Sequence, residues 1–192
     1  MITLNEKVEL YTALTNAFIM LIGIIGIFTI KKDKLWKQLF SFLAIDGFLG
    51  IIIHALSMSE TIFNILWVIL LIMFALTINT ALCIFSNIKT KHITILSIIL
   101  AIILIALFLL KLDYLSTFFI YSIIIVILCL YYVIRSDNKN KLLILLSFII
   151  MICSTFAEFF NIKIPPFNQD GVSHIILSIG LIVLLITIKK EK

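Results

Sequence analysis

Apolar residues fill most of the chain, and polar residues interrupt them at short intervals. Seven apolar segments result, at about 10–30, 38–57, 61–86, 93–111, 114–134, 142–160 and 171–188. Between them stand "KKDKLWK", "SMSE", "NIKTKH", "KLD", "RSDNKNK" and "NIKIPPFNQD". Each segment is near the roughly 20 residues that a helix needs to cross the hydrocarbon core of a bilayer. The predicted fold is all-α: a polytopic membrane protein, a seven-transmembrane helix bundle forming one integral membrane domain over residues 1–192. The first run, from about Tyr11 to Ile30, is longer than the apolar region of a signal peptide and lacks a small-residue cleavage site. It reads as a first transmembrane helix. The turns between segments 2 and 3 and between 4 and 5 are the tightest, and fusing either pair would leave six spans.

Lysine and arginine orient the bundle. Lys31, Lys32, Lys34, Lys37, Lys89, Lys91, Arg135, Lys139, Lys141, Lys189, Lys190 and Lys192 fall on one side, 12 of the 15 basic residues. Only Lys7, Lys111 and Lys163 fall on the other. The positive-inside rule puts the rich side in the cytoplasm. The expected topology has the N-terminus outside and the C-terminus inside. The abundance of Ile and Lys points to an AT-rich genome and a bacterial plasma membrane.

This topology gives each polar residue a depth. Glu9, Thr12 and Asn16 enter helix 1 from outside. His54 and Ser57 lie near the outer end of helix 2, with Asp46 about two turns deeper. Glu60 and Asn64 begin helix 3, Glu158 and Asn161 end helix 6, and Asp170 and His174 begin helix 7. Residues three, four or seven apart share a helix face, so Asp46, Gly50 and His54 form one stripe. Ser147, Ser154, Glu158 and Asn161 form another, and Asp170, His174 and Ser178 a third. Ionisable groups within a membrane tend to face the bundle interior and carry function. Asp170 and Glu9 also stand where helix caps stand, beside a helix N-terminus whose dipole favours a carboxylate.

Composition supports the same class. The chain is 63% hydrophobic and its mean hydropathy is +1.27, against roughly 45–50% apolar residues in soluble domains. No room remains for a soluble catalytic domain. The net charge of +5 is explained by topology and is not a nucleic-acid signal. Cys83, Cys129 and Cys153 each sit in an apolar run without a CxxC and read as small buried hydrophobes. His92, in the basic "KTKH", reads as a surface residue.

Catalytic zinc takes three protein ligands from His, Asp or Glu and keeps one position for water. Asp170 and His174 are one helical turn apart, and His54 adds a third candidate ligand at the same depth. The order of these pieces resembles the seven-helix superfamily of alkaline ceramidases and progestin/adipoQ receptors, known as CREST. The carrying pieces are "ELYTALTN" with Glu9, Tyr11, Thr15 and Asn16, "GFLGIIIHAL" with His54, and "DGVSHIILSIGL" with His174. The resemblance implies three His ligands to zinc, a Ser that assists the oxyanion and an Asp that helps proton transfer. Here Asp170 stands at the first helix 7 His, Gly50 at the Ser and Ile65 at the Asp.

Three functions fit these features. The first is a zinc-dependent intramembrane hydrolase of lipid amides or esters, with its site near the outer leaflet. His54, Asp170 and His174 would hold the metal, Glu158 or Asp46 would act as general base or support a ligand, and Glu9, Asn16 and Asn64 would complete the polar site. Its partners are membrane lipids and a lipid substrate. The second is a non-catalytic sensor, receptor-like binder or partner subunit on the same scaffold. The third is a small transporter component, for which the outer cluster would be a substrate site.

Overall fold

A computed structural model describes residues 3–4, 7–30, 33–86 and 88–190. Among the described residues, seven helices are each long and apolar enough to cross a membrane. They are α1 (Lys7–Thr29), α2 (Lys34–Ala55), α3 (Glu60–Phe85), α4 (Thr90–Leu109), α5 (Tyr114–Arg135), α6 (Lys141–Phe159) and α7 (Gln169–Lys190). Lys31, Lys32 and Lys192, three of the residues that set the expected orientation, lie outside the described residues. Short connections make consecutive helices antiparallel neighbours. One end of the bundle therefore gathers the starts of α1, α3, α5 and α7 with the ends of α2, α4 and α6.

The all-α expectation needs one addition. Thr3–Leu4 (β1) pairs antiparallel with Leu56–Ser57 (β2), Thr3 opposite Ser57 and Leu4 opposite Leu56. The α2–α3 turn leaves backbone groups beyond the last helical bond, and a two-residue ladder supplies partners for them.

The helix ends follow local chemistry. Asp33 caps α2 by accepting from the Leu35 and Trp36 amides, so α2 begins four residues before its apolar run. Lys111 and Asn161 take left-handed φ of 55° and 54° and close α4 and α6. The amides of Leu112 and Ile162 reach back to Leu107 O and Ala157 O, each at 2.9 Å, the six-to-one bond that satisfies orphan carbonyls at a helix end. Between α6 and α7, Ile164 and Phe167 exchange backbone hydrogen bonds around Pro165–Pro166. Phe167 then meets Tyr11 edge to face at 5.9 Å, which places Asn168 over the start of α1.

The bundle is apolar on its outer faces and carries its polar helix residues inside. Phe28, Ile102 and Ile120 point outward, whereas Thr12, Asn16, Asn79 and Ser147 are buried. The main core gathers Phe40, Leu43, Leu82, Cys129, Ile144, Leu181 and Leu184. A second cluster joins α3, α4 and α5 through Leu71, Ala75, Leu100, Leu104 and Phe118. Cys83 and Cys129 are buried as expected, but Cys153 is exposed on the outward face of α6.

The closest helix contact is between α1 and α2, and glycine makes it possible. A Cβ on Gly23 would stand 2.6 Å from Ala44 N, and one on Gly47 would stand 2.5 Å from Met20 N. Small residues of this kind let helix backbones approach where lipid gives no hydrophobic drive to associate. Gly47→Ala is expected to force the pair apart and lower stability by about 1–3 kcal/mol. Chemical denaturation in detergent measures this, and a midpoint equal to wild type would show that the crossing opens without cost.

Asp113 caps α5 by accepting from the Ser116 amide at 3.0 Å. Hydrogen bonds from the Ser116 side chain and backbone hold its carboxyl below the ordinary carboxylate value. A folded pKa below the unfolded one gives stability that is present above the unfolded value and is lost as pH falls through the folded one. The first turn of α5 should therefore loosen in acid in the wild type but not in Asp113→Asn, whose amide oxygen caps without titrating. The protection factor of the Ser116 amide at pH 6 and pH 3 reads this directly. Equal protection at both would contradict it.

Candidate functional site

The end of the bundle that holds the start of α1 also holds a joined set of polar side chains from α1, α2 and α7. Glu9 sits in the first turn of α1 and His54 in the last turn of α2. Glu9 Oε2 lies 2.8 Å from His54 Nδ1. Oε1 of the same carboxylate accepts from Asn168 Nδ2 at 3.1 Å. Asn168 Oδ1 takes a hydrogen bond from Thr12 Oγ1 at 2.7 Å and from the Gly171 amide at 2.8 Å. Asn168 thus ties the start of α7 to α1, and Glu9 carries the link on to α2.

These contacts correct one cap reading. Asn168, not Asp170, is the side chain that caps α7. Glu9 lies in the first turn of α1, and its carboxylate reaches across to His54 and Asn168. Asn168 was legible as a cap, because it is an Asn immediately before a helix. It was overlooked because Asp170 lies nearer to the apolar run.

One turn along α7, His174 meets α1. Its Nδ1 is 3.2 Å from Thr15 Oγ1 and 3.1 Å from Asn16 Nδ2. Thr15 gives its hydroxyl proton to Thr12 O at 2.7 Å, so its oxygen can take an Nδ1 proton. Asn16 donates to the same carbonyl at 3.2 Å and favours an Nδ1 lone pair. The surroundings of His174 therefore serve either tautomer. Gly50 makes room for Asn16, since a Cβ there would stand 2.2 Å from Asn16 Oδ1.

The two imidazoles face each other, with ring centroids 5.9 Å apart and planes at 73°. Asp170 lies within electrostatic reach of His54, Glu9 and Lys163. Glu158, at the last turn of α6, stands near Asp170 and Ser173. Glu9 and Asp170 thus act on His54, while Glu158 and Lys163 act on Asp170.

Two observations bear on a zinc ion here. Two imidazoles bound through Nε2 to one tetrahedral ion would hold their ring centroids roughly 5 Å apart, close to the separation found. Glu9 Oε2 stands against His54 Nδ1, and a carboxylate behind a histidine is the usual support for a ligand bound through its other nitrogen. Among the described residues, however, no group of three or more His, Cys, Asp or Glu is gathered into a metal-holding set. The histidine pair is in place and a third ligand is not closed on it.

The remaining candidates lie elsewhere. Asp46 is on the His54 face of α2 but eight residues, or about 12 Å, further along the helix. Asn64 lines a groove with Phe63, Trp67, Tyr114 and Leu115, between the starts of α3 and α5. Asn161 lies past the end of α6. His92 is exposed. A polar cluster absent from the sequence reading joins α3, α4 and α5: Asn79 donates to Ser97 at 2.7 Å and accepts from Tyr121 at 2.5 Å. It borders a cleft of about 270 Å³ that Gln38, Thr80, Thr90 and Thr94 also line. Its signal was an Asn in the middle of an apolar run.

Residues 11–192 match the family model of DUF6962, described as a family of unknown function. No curated protein and no solved structure matches the chain.

Asn168→Ala would remove the α7 cap, the acceptor for Thr12 and the donor to Glu9 together. We expect a loss of about 2 kcal/mol, read as a lowered thermal midpoint in detergent. Asn168→Asp keeps both acceptor roles and sets a carboxylate against Glu9. If the alanine variant melts with the wild type, α1 and α7 are not held together by this residue.

Proposed function

The chain belongs to the DUF6962 family, and we propose from its site that it is an integral membrane hydrolase of a lipid amide or ester that works with zinc. The carrying observation is the facing pair His54 and His174, each with its Nδ1 held by α1. In this reading the seven helices cross a plasma membrane with the N-terminus outside, and the histidine pair lies near the outer leaflet. The seven-helix layout and the two histidines resemble the CREST superfamily, which supports the same chemistry.

His54, His174 and Asp170 are the proposed ligands. Asp170 is one turn from His174 on the same helix and within electrostatic reach of His54, which makes it the proposed third ligand. Zinc supplies a bound water of lowered pKa and a Lewis acid for the substrate carbonyl. Glu9 orients His54, while Thr15 and Asn16 orient His174. Glu158, next to Asp170, is the carboxylate placed to accept a proton. Asp46 is too far along α2 to serve there. A lipid substrate reaches the site sideways between helices, so its head group meets the polar end while its tail stays in hydrocarbon.

A second reading, a non-catalytic sensor or partner subunit, has a specific observation in its favour. Gly50 and Ile65 stand where the resemblance implies a Ser and an Asp. Gly50 is filled against Asn16, and Ile65 is 43% exposed on an outward face. Neither position puts a reactive group at the site.

Metal content of the detergent-purified protein separates the two. The hydrolase reading expects about one zinc per chain, lost when both His54→Ala and His174→Ala are introduced. A folded wild type that stays metal-free after zinc is supplied would sink the catalytic reading and leave the binding role.

A further inference from the structure

At the lysine-rich end of the bundle, opposite the histidines, α2 and α4 wall the cleft of about 270 Å³ whose floor is α3. α3 packs against both walls. Trp36 meets Phe85 edge to face at 5.6 Å, so the start of α2 is level with the end of α3. Asn79 donates to Ser97 at 2.7 Å, which levels α3 with α4. Gln38, Thr94 and Ile98 line the cleft and are exposed, so it opens sideways from the bundle.

The lining changes character with depth. Its polar residues are Gln38, Asn79, Thr80, Thr90, Thr94 and Ser97. Depth is counted from the first residue of α2, the last of α3 and the first of α4. At roughly 1.5 Å per residue, none of the six is deeper than about 11 Å. Phe42, Leu76, Ile98, Ala101 and Ile72 line the cleft beyond them, from about 12 to about 20 Å, and all are apolar. Asn79, Ser97 and Tyr121 bond to one another. Thr80 and Thr94 donate to carbonyls of their own helices, at 2.7 and 3.0 Å. Their hydroxyl lone pairs and the Gln38 amide remain for a ligand.

The mouth is positive. Lys34 adjoins the lining residue Leu35 and stands four residues before Gln38; Lys91 adjoins Thr90 and stands three before Thr94. Residues three or four apart share a helix face, so the two lysines continue the two walls toward that end. Both are exposed. α4 carries no acidic residue. Asp33, the acid beside the start of α2, spends its carboxylate on the Leu35 and Trp36 amides. Water suits the polar neck but not the depth, since apolar cavities stay dry. A molecule with a negative head, a polar neck and a hydrocarbon tail suits all three zones.

We propose that this cleft holds one anionic glycerophospholipid from the leaflet at the lysine-rich end. Its phosphate lies at the mouth with Lys34 and Lys91. Its glycerol esters pass the Gln38 amide and the threonines, and one acyl chain runs along Phe42, Leu76 and Ile98. Basic pockets between membrane helices on the cytoplasmic side bind anionic head groups in this way. The site rests on the membrane-spanning reading of the helices. It is independent of the histidine pair, which lies at the other end of the bundle.

The test uses the full chain in dodecyl maltoside, mixed with equal amounts of dioleoyl phosphatidylglycerol and dioleoyl phosphatidylcholine. Native mass spectrometry should show one lipid retained per chain, with phosphatidylglycerol preferred about tenfold. Lys34→Ser with Lys91→Ser should remove the preference. Arg135→Ser with Lys139→Ser changes basic residues of the same end outside the cleft lining, and should keep it. Ala101→Phe fills the apolar depth and should lose the retained lipid. A phosphatidylglycerol with a diazirine on its acyl chain should label the unaltered protein near Leu76 and Ile98, and this arm stands even if a variant fails to fold. Equal retention of the two lipids overturns the proposal. So does a preference that the Arg135 and Lys139 changes also remove, or labelling confined to other helices. Protein that stays soluble without detergent overturns the membrane reading and this site with it.

Discussion

At Gly47 the backbone of α2 comes close enough to α1 that a single methyl group would strike Met20 N, and the polar end of the bundle depends on that approach. With the helices so close, Asn16 can occupy the space over Gly50 and still reach His174 at 3.1 Å. The same crossing brings His54 within 2.8 Å of Glu9. A bulkier contact would separate α2 from α1 and break both links, because each spans its gap with one side chain. The polar contacts are thus a consequence of backbone proximity.

The helices were legible because a spanning segment announces itself by length and by the charges that bracket it. Their ends were less so. The apolar run of α2 begins at about residue 38, but Asp33 can cap the helix earlier, so Lys34, Trp36 and Lys37 join its first turn. The N-terminal ladder had no pattern to betray it, since two paired residues carry no periodicity. Depth was readable from topology, and His54, Asp170 and His174 were expected together on that basis. Azimuth was not. Asn64 shares their level but lies with Phe63, Trp67 and Tyr114, because seven helices in a ring put equal depths far apart. A helical stripe states which residues of one helix point the same way, not which helix they point toward.

The bundle divides its polar groups between two kinds of environment. In the α3–α5 half, Asn79, Ser97 and Tyr121 satisfy one another, and their chemistry is used up in holding helices together. Around α1, α2 and α7 the balance differs. Glu9, Asn168, Thr12 and Asn16 are bonded, yet they are bonded in ways that present two imidazoles to each other. Polar networks in low dielectric rigidify what they join when every member is satisfied. Here the satisfied members are the supports, and the groups they position are the ones with chemistry to offer.

The orphaned oxygens of Asp46 and Ser178 sharpen this contrast. A helix that must place a serine in an apolar interior has a partner at hand in its own preceding turn, and most hydroxyls in this chain take it. Ser178 declines that option, and the Oδ1 of Asp46 is likewise unpartnered. Removal of both by apolar substitution would be favoured if only stability mattered, since replacing a buried polar pair by packed hydrocarbon is often neutral or stabilising. Both groups therefore cost the fold more than packed hydrocarbon would at the same positions.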